Sequence, residues 1–384
     1  MRREEGFTLI ELMITMVIFV LVIAASANVF TGLLTQFKQQ SKIVESNIEG
    51  IVGLELLKHD IRHAGYGIPW IIPLGYIYSE ATVLPGINFN EADDGTTSDP
   101  PRAVISGNDV DYSGSLTGFL IGTDYLVVKS VVVARNNASQ RWAMLTSEAP
   151  SVVPWTPASE ELTGTDRVIV LRPGSNDTNA RRLVENAGAY YTTYAKVTAA
   201  GWPPPDRTAT RVVYGIDPST VNFPFNRAEY YVRRPATNMP LRCAPGTGVL
   251  YKATVNQDGG GMSELPLLDC VADLQADFWL DTDGDGTIDW PPVDSIAGMT
   301  AQQIRDQVRE IRVYVVTHEG QKDVHFDFTR GDASITSLAF TEVLDLNSRN
   351  LTFTDLSARV GSPEYRHYRW RLYALFIQPV DLLR

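Results

Sequence analysis

The chain begins with a short charged segment and continues into a long apolar one. Residues 7–30 carry Glu11 as their only charged side chain, and Arg2 and Arg3 precede them. A helix of about 20 apolar residues is long enough to cross a bilayer, and basic flanking residues stay on the cytoplasmic side. The pattern predicts a membrane-spanning helix over residues 7–30, with everything that follows it exported.

Beyond residue 30, apolar residues recur at spacings of three and four among polar ones, which is the period of an amphipathic helix. They are Leu33, Leu34, Phe37, Val44, Ile48, Ile51, Leu54 and Ile61. Glycines and a proline at residues 65–69 end the pattern. We expect one helix from Phe7 to about Ala64, in which residues 31–65 form a stalk.

Residues 66–384 are expected to form an exported β-rich globular domain. Residues 66–108 are rich in Pro, Gly, Asp, Asn and Thr, which is typical of loops. Strands are predicted where β-branched and aromatic residues cluster, at 125–134, 167–171, 211–216, 229–232, 249–255, 274–280, 311–317 and 370–377. A short helix is expected at 300–307. The fold class is therefore α+β, a long N-terminal helix on a mostly antiparallel body that could divide into two sub-domains near residues 200–240.

The composition is that of a folded protein, with 44% hydrophobic and 20% charged residues among 384. The formal net charge is -12. Proteins that bind a phosphate backbone collect Lys and Arg to replace its counterions, so this charge argues against a nucleic-acid partner.

Glu11 needs a partner if it lies in apolar surroundings, because a lone carboxylate there costs at least a few kcal/mol. Cleavage after Gly6 would create an ammonium group at Phe7, one helical turn from Glu11 and also able to reach Glu11 of an adjacent subunit. The alternatives are a plain membrane anchor or an ordinary secretory signal cut near residues 24–27.

The sequence of residues 6–11, Gly-Phe-Thr-Leu-Ile-Glu, resembles the N-terminal signature of type IV prepilins and type II secretion pseudopilins. The resemblance implies a prepilin peptidase that removes residues 1–6 as a leader and methylates the new amine of Phe7. It also implies that Glu11 guides the subunit from membrane lipid into a fibre of other major and minor pilins, through an inner-membrane assembly platform. Relatives often have a basic residue before the glycine, where this chain has Glu5.

Alternating carboxylates follow later in the chain, in the sequence Asp-Thr-Asp-Gly-Asp-Gly-Thr-Ile-Asp at 281–289. This spacing lets a loop wrap oxygen atoms around a hard cation, and calcium is the natural candidate. The expected ligands are the side chains of Asp281, Asp283, Asp285 and Asp289 and the carbonyl of Thr287. Pro292 replaces the Glu of a helix–loop–helix calcium site, Asp294 could compensate, and the flanks look like strands. A solvated acidic turn is the alternative.

Residues 268–278, the aspartate loop and residues 308–313 together resemble the C-terminal region of PilW-type minor pilins. The resemblance implies a non-catalytic minor type IV pilin that inserts its helix at the pilus base or tip and primes assembly. Its domain would be periplasmic before assembly and on the cell surface afterwards. A minor pseudopilin of a type II secretion system is the nearest alternative. A membrane-tethered exported enzyme or binding domain is a second, although no phosphate loop or nucleophile elbow is present.

Two smaller features complete the sequence. Cys243 and Cys270 are the two cysteines, and an even pair in an exported domain fits one disulfide.

His59 and His63 share a helix face with the spacing of zinc-protease helices. Asp60 replaces the general-base Glu of such helices and no clear third ligand follows, so a structural role is expected.

Overall fold

The computed structural model describes residues 8–91, 100–112, 116–147, 157–174, 180–331, 353–361 and 364–382. Its α-helices are α1 (Leu9–Arg62), α2 (Ala301–Gln307) and α3 (Phe353–Val360). Its strands are β1 (Val104–Val110), β2 (Thr123–Ser130), β3 (Trp142–Thr146), β4 (Arg167–Arg172), β5 (Arg182–Leu183), β6 (Tyr191–Thr193), β7 (Thr210–Asp217), β8 (Asn226–Arg233), β9 (Gly248–Val255), β10 (Met262–Leu280), β11 (Val308–Glu319) and β12 (Arg369–Ile377). Short 3-10 turns lie at Gly86–Phe89, Val131–Ala134, Ala158–Glu160, Tyr194–Lys196 and Glu364–His367. The predicted α+β class is confirmed.

Helix α1 has defined signals at both ends. The Thr8 hydroxyl accepts a hydrogen bond from the Glu11 amide (3.4 Å) and the Glu11 carboxylate accepts one from the Thr8 amide (3.0 Å), which is a reciprocal capping box. At the other end Gly65 takes a positive φ of 85°, a conformation that suits glycine and stops the helix. The predicted long helix is confirmed, with ends close to those expected.

A seven-stranded antiparallel sheet forms the larger layer, in the order β1-β2-β8-β9-β10-β11-β12. A second sheet has the order β3-β7-β4-β5, with β6 paired to β4. The second sheet is an insertion, because its strands all lie between β2 and β8, which are neighbours in the larger sheet. The division near residues 200–240 stays a prediction.

The main core lies between the last turns of α1 and the sheets. Leu57 and Ile61 of α1 are fully buried in the same apolar cluster as Leu250 of β9 and Ile169 and Leu171 of β4. Both sheets therefore contribute to one core, and the insertion covers part of it.

Several predicted boundaries were wrong. Residues 104–108 were expected to be loop but begin β1, because pairing with β2 overrides the turn-forming character of Ser106, Gly107 and Asn108. Residues 131–134 were expected to continue a strand but form a 3-10 turn, where the Ser130 hydroxyl accepts a hydrogen bond from the Val132 amide. The elements α3, β3, β5 and β6 were not predicted.

Candidate functional site

The first half of α1 is exposed on all sides. Leu9–Leu34, a segment of 26 residues, is long and apolar enough to cross a membrane, and within the described residues it is the one helix that meets this test. None of its most apolar residues is buried against the rest of the chain. Exposed apolar surface of this extent has to be covered by lipid or by other helices.

Glu11 lies at the N-terminal end of this exposed half. Its Oε2 atom accepts hydrogen bonds from the Thr8 amide (3.0 Å) and the Thr8 hydroxyl (2.9 Å). These are its partners within the described part of the chain, and the predicted processing residues Gly6 and Phe7 lie outside that part. The capping box fixes the carboxylate at the end of the helix, where the helix dipole favours negative charge.

A family model of the prokaryotic N-terminal methylation motif matches residues 1–27. The match spans the charged leader, Gly6, Phe7, Glu11 and most of the apolar segment. The N-terminus is that of a type IV pilin-like prepilin. Comparison with curated proteins gave no significant match, and comparison with solved structures gave none either.

The second half of the prepilin helix packs closely on its own domain at two glycines. A Cβ atom added to Gly53 would lie 2.1 Å from the backbone oxygen of Leu267, and one added to Gly50 would lie 2.7 Å from a methyl carbon of Leu268. The Gly53 distance is far below van der Waals contact with backbone that cannot rotate away, so only glycine at position 53 lets β10 approach the helix this closely, whereas the Leu268 side chain could move away from a methyl group at position 50.

A buried ion pair also joins α1 to the larger sheet. Asp60 is fully buried, and its Oδ2 atom accepts from the Lys252 ammonium of β9 and the Tyr230 hydroxyl of β8. Burial disfavours the charged form of Lys252 and lowers its pKa, while the nearby Asp60 carboxylate opposes that shift. The pair holds the last turn of the stalk on the domain.

A second set of buried charges holds the irregular segment that follows α1. It contains three acids and three bases, which are Glu80, Glu91, Glu229, Arg102, Lys129 and Arg227. Lys129 Nζ lies 2.8 Å from Glu80 Oε1 and 2.6 Å from Glu91 Oε2. Arg227 bridges Glu80 and Glu229, at 2.6 Å from each. The charges balance within the set, which therefore attaches the segment to β2 and β8.

The aspartate loop directly follows β10. Carboxylate oxygens of Asp281, Asp283 and Asp285 lie within 4.8 Å of one another. Asp289 does not belong to this group, and its Oδ2 atom accepts from the Thr282 amide (2.7 Å) and hydroxyl (2.5 Å). The structure thus brings together three of the predicted side-chain ligands.

The surroundings of the aspartate loop also differ from a helix–loop–helix site. Asp294 accepts from the Asn108 side chain (3.1 Å), away from the three grouped carboxylates. A strand precedes the loop, and residues Pro291–Pro292 are followed by a bridge between Val293 and Phe278. The predicted absence of flanking helices agrees with this arrangement.

Cys243 and Cys270 are bonded to each other, across a sequence separation of 27 and a Cα–Cα distance of 4.7 Å. The bond ties the segment before β9 to the middle of β10. The structure therefore contains the predicted disulfide, and such a bond indicates an oxidising compartment.

Neither the Asp60 pair nor the set of six balanced charges was predicted from the sequence. The sequence did contain a sign of the Asp60 pair. Asp60 lies at helical spacing from Leu57, Ile61 and Ala64, so it falls on the same buried face of α1. The set of six charges had a weaker sign, because Arg227 and Glu229 lie two residues apart and share one face of β8, whereas the predicted strand began only at residue 229.

Proposed function

We propose that this chain is a minor type IV pilin of the PilW type, which inserts α1 at the base or tip of a pilus and helps to prime assembly. The observation that carries the proposal is the combination of the methylation motif at residues 1–27 with an exposed apolar helix whose one charged side chain is Glu11. Helices of neighbouring subunits would replace lipid around that segment.

The proposed role is structural rather than catalytic. A prepilin N-terminus is a device for processing and assembly, and it delivers the domain outside the cytoplasm. The disulfide between Cys243 and Cys270 supports this location, as does the single apolar segment after two arginines. Before assembly the domain would lie in the periplasm, and afterwards on the pilus at the cell surface.

The proposal is tested by mass spectrometry of the protein purified from assembled fibres. We expect Phe7 at the N-terminus with a methyl group on its amine, and loss of residues 1–6. A matched variant, Gly6→Leu, should retain Met1 and stay in the membrane, because a large residue blocks the proposed cut. Fibres built from chains that still begin at Met1 would contradict the proposal.

A minor pseudopilin of a type II secretion system is the second candidate, since the same N-terminal signature serves both systems. The two differ in partners and not in insertion chemistry. Crosslinking in intact cells separates them: neighbours from a pilus support the first function, and neighbours from a secretion channel support the second.

We also propose calcium as the ligand of the aspartate loop. Three carboxylates with oxygens within 4.8 Å of one another suit a cation that binds six to eight oxygens at about 2.3–2.6 Å. Arg309 donates to Asp281 Oδ2 from Nη2 (2.9 Å), and this hydrogen bond lowers the pKa of the Asp281 carboxyl. Asp281 therefore stays ionised, and calcium would share it with the guanidinium.

Thermal unfolding of the full chain in detergent tests the calcium proposal. Millimolar Ca²⁺ should raise the Tm by several degrees, and the Asp283→Asn/Asp285→Asn variant should lose the shift. Asparagine keeps the oxygens that accept from the Asp285 and Thr287 amides, so the loop itself stays intact. Asp206→Asn, in another exposed turn, should leave the shift unchanged. If wild type and both variants showed the same Tm shift, the proposal would be wrong and the loop would be an acidic turn without a calcium site.

A further inference from the structure

A cavity of about 260 Å³ lies where the last turn of α1 meets the segment between β2 and β3. His59 and His63 line it together with Tyr66, Ser139 and Gln140. The two histidine side chains are partly exposed, at 42% and 34%. The cavity is therefore open to solvent on a side that carries two imidazoles.

The two imidazoles are close enough to act as a pair. His59 and His63 are four residues apart on one helix, so they lie one above the other on the same face. Their ring centroids are 4.7 Å apart and their planes are tilted by 52°. This is the arrangement in which two side-chain nitrogens can reach one cation.

Each imidazole has a carboxylate at its Nδ1 atom. His63 Nδ1 lies 3.1 Å from Asp381 Oδ2, and His59 Nδ1 lies 3.4 Å from Asp60 Oδ1. A carboxylate only accepts, so a neutral imidazole in this position carries its proton on Nδ1 and its lone pair on Nε2. Carboxylates of this kind set the tautomer of histidines that bind metal ions and raise their basicity.

The carboxylates are themselves held in place. Asp60 is fixed by Lys252 and Tyr230, and Asp381 lies in the C-terminal segment, where the amide of Val380 donates to the carbonyl of Arg62 (3.0 Å). The tautomer of His63 is therefore set by the C-terminal segment, and the tautomer of His59 is set by a carboxylate of α1 that β8 and β9 hold in place.

We propose that His59 and His63 bind one divalent transition-metal ion, Zn²⁺ or Cu²⁺, through their Nε2 atoms. Imidazole suits these borderline ions, whereas it is a poor ligand for calcium or magnesium. Gln140 lines the same cavity, and its Nε2 donates to the carbonyl of Val132 (2.8 Å); its side-chain oxygen would be the third protein ligand. Water completes the coordination. The bound ion would tie the last turn of α1 to the segment that leads into the second sheet.

The direct test is Cu²⁺ binding to the full chain in detergent, followed by electron paramagnetic resonance. The experiment uses the Asp283→Asn/Asp285→Asn background, which removes the aspartate loop as a competing site. We expect one Cu²⁺ per chain, with hyperfine splitting from two imidazole nitrogens. A spectrum with oxygen ligands alone at one equivalent overturns the proposal without the need for any histidine variant.

Variants then assign the two nitrogens. His59→Ala and His63→Ala should each weaken Cu²⁺ binding at least about tenfold and remove one nitrogen from the spectrum. His325→Ala, which removes an exposed histidine elsewhere, is the matched control and should change neither. Asp381→Asn should keep both nitrogens and weaken binding about 10–100-fold, as expected of a positioning residue. A copper signal that survives His59→Ala and His63→Ala unchanged overturns the assignment.

Discussion

Two carboxylates on α1 have opposite surroundings. Glu11 lies in the exposed apolar half, and its partners among the described residues are the amide and hydroxyl of Thr8. Asp60 lies in the packed half, where the Lys252 ammonium and the Tyr230 hydroxyl surround it. The chain supplies a cation for Asp60 from its own fold, whereas no cationic partner of Glu11 lies within residues 8–91 or the later described ranges.

The difference indicates what each half of the helix is for. A buried charge that is paired inside the chain fixes the helix on the domain and is satisfied in the monomer. An acidic group in an apolar segment without such a pair has hydrogen bonds but no counter-charge, and under the proposed function the amine that processing creates at Phe7 would supply it. One half of α1 is therefore held by its own domain, and under the proposed function the other half would be completed by assembly.

The largest expected effect comes from breaking the inner pair. Asp60→Asn keeps the shape of the side chain and an acceptor for Tyr230 but leaves Lys252 buried without its counter-charge. We expect a loss of about 3–5 kcal/mol in the free energy of unfolding, measured by chemical denaturation.

The double variant Asp60→Leu/Lys252→Met is the control for this effect. Replacing both charges with apolar groups of similar size removes the unpaired ion but also removes the acceptor of the buried Tyr230 hydroxyl, which costs about 1–3 kcal/mol, so part of the stability should return. If the double variant were as unstable as Asp60→Asn, shape and not charge would explain the loss.

The outer carboxylate should affect assembly and leave folding intact. Glu11→Gln keeps an oxygen for the Thr8 cap but removes the charge, and Glu11→Val removes both. We expect both to insert into the membrane and to reduce incorporation into fibres on the order of 100-fold, because a few kcal/mol of pairing is lost. Quantitative immunoblotting of sheared fibres measures this ratio.

Thr15→Val provides the comparison for Glu11, since it changes a polar side chain in the same half whose hydroxyl donates to the carbonyl of Leu12 (3.0 Å). Its incorporation should stay close to wild type. Normal incorporation of Glu11→Gln would remove the proposed role of the charge.

The two halves of α1 also differ in packing, and a glycine substitution in each half should show this as a smaller difference in stability. Gly53→Ala would place a methyl group against the backbone of Leu267 and should cost about 1–3 kcal/mol, because the strand has to move. Gly32→Ala meets nothing within 4 Å and should cause no loss. Equal unfolding midpoints for the two variants would contradict the close contact between α1 and β10.

The local pattern of apolar and polar residues was sufficient to predict the helices and strands in which that pattern is regular. The helix was predicted almost to its ends, because its apolar positions repeat and glycines follow it, and Ile311–Thr317 gave β11 because its β-branched residues cluster. Strand β1 was missed because its Ser, Gly, Asn and Asp residues favour turns when considered alone. Pairing with β2 determines its conformation, and that information is not local.

The same limit applies to the sites. The spacing of Asp281, Asp283 and Asp285 was enough to predict that they cluster, because nine consecutive residues form that loop. The partners of Asp60 come from β8 and β9, far along the chain, so no spacing rule could name them. His63 and Asp381 are likewise brought together only by the complete fold.

The position of the second sheet has a consequence for how such chains diverge. Val128 of β2 pairs with Ala228 of β8, so the chain leaves and rejoins the larger sheet at adjacent strands. During evolution the inserted second sheet could become longer or shorter, or be replaced, without altering the register between β2 and β8. The requirement that remains is a cover for the core now supplied by Ile169 and Leu171, so evolutionary variation should concentrate on the outward side of the insertion.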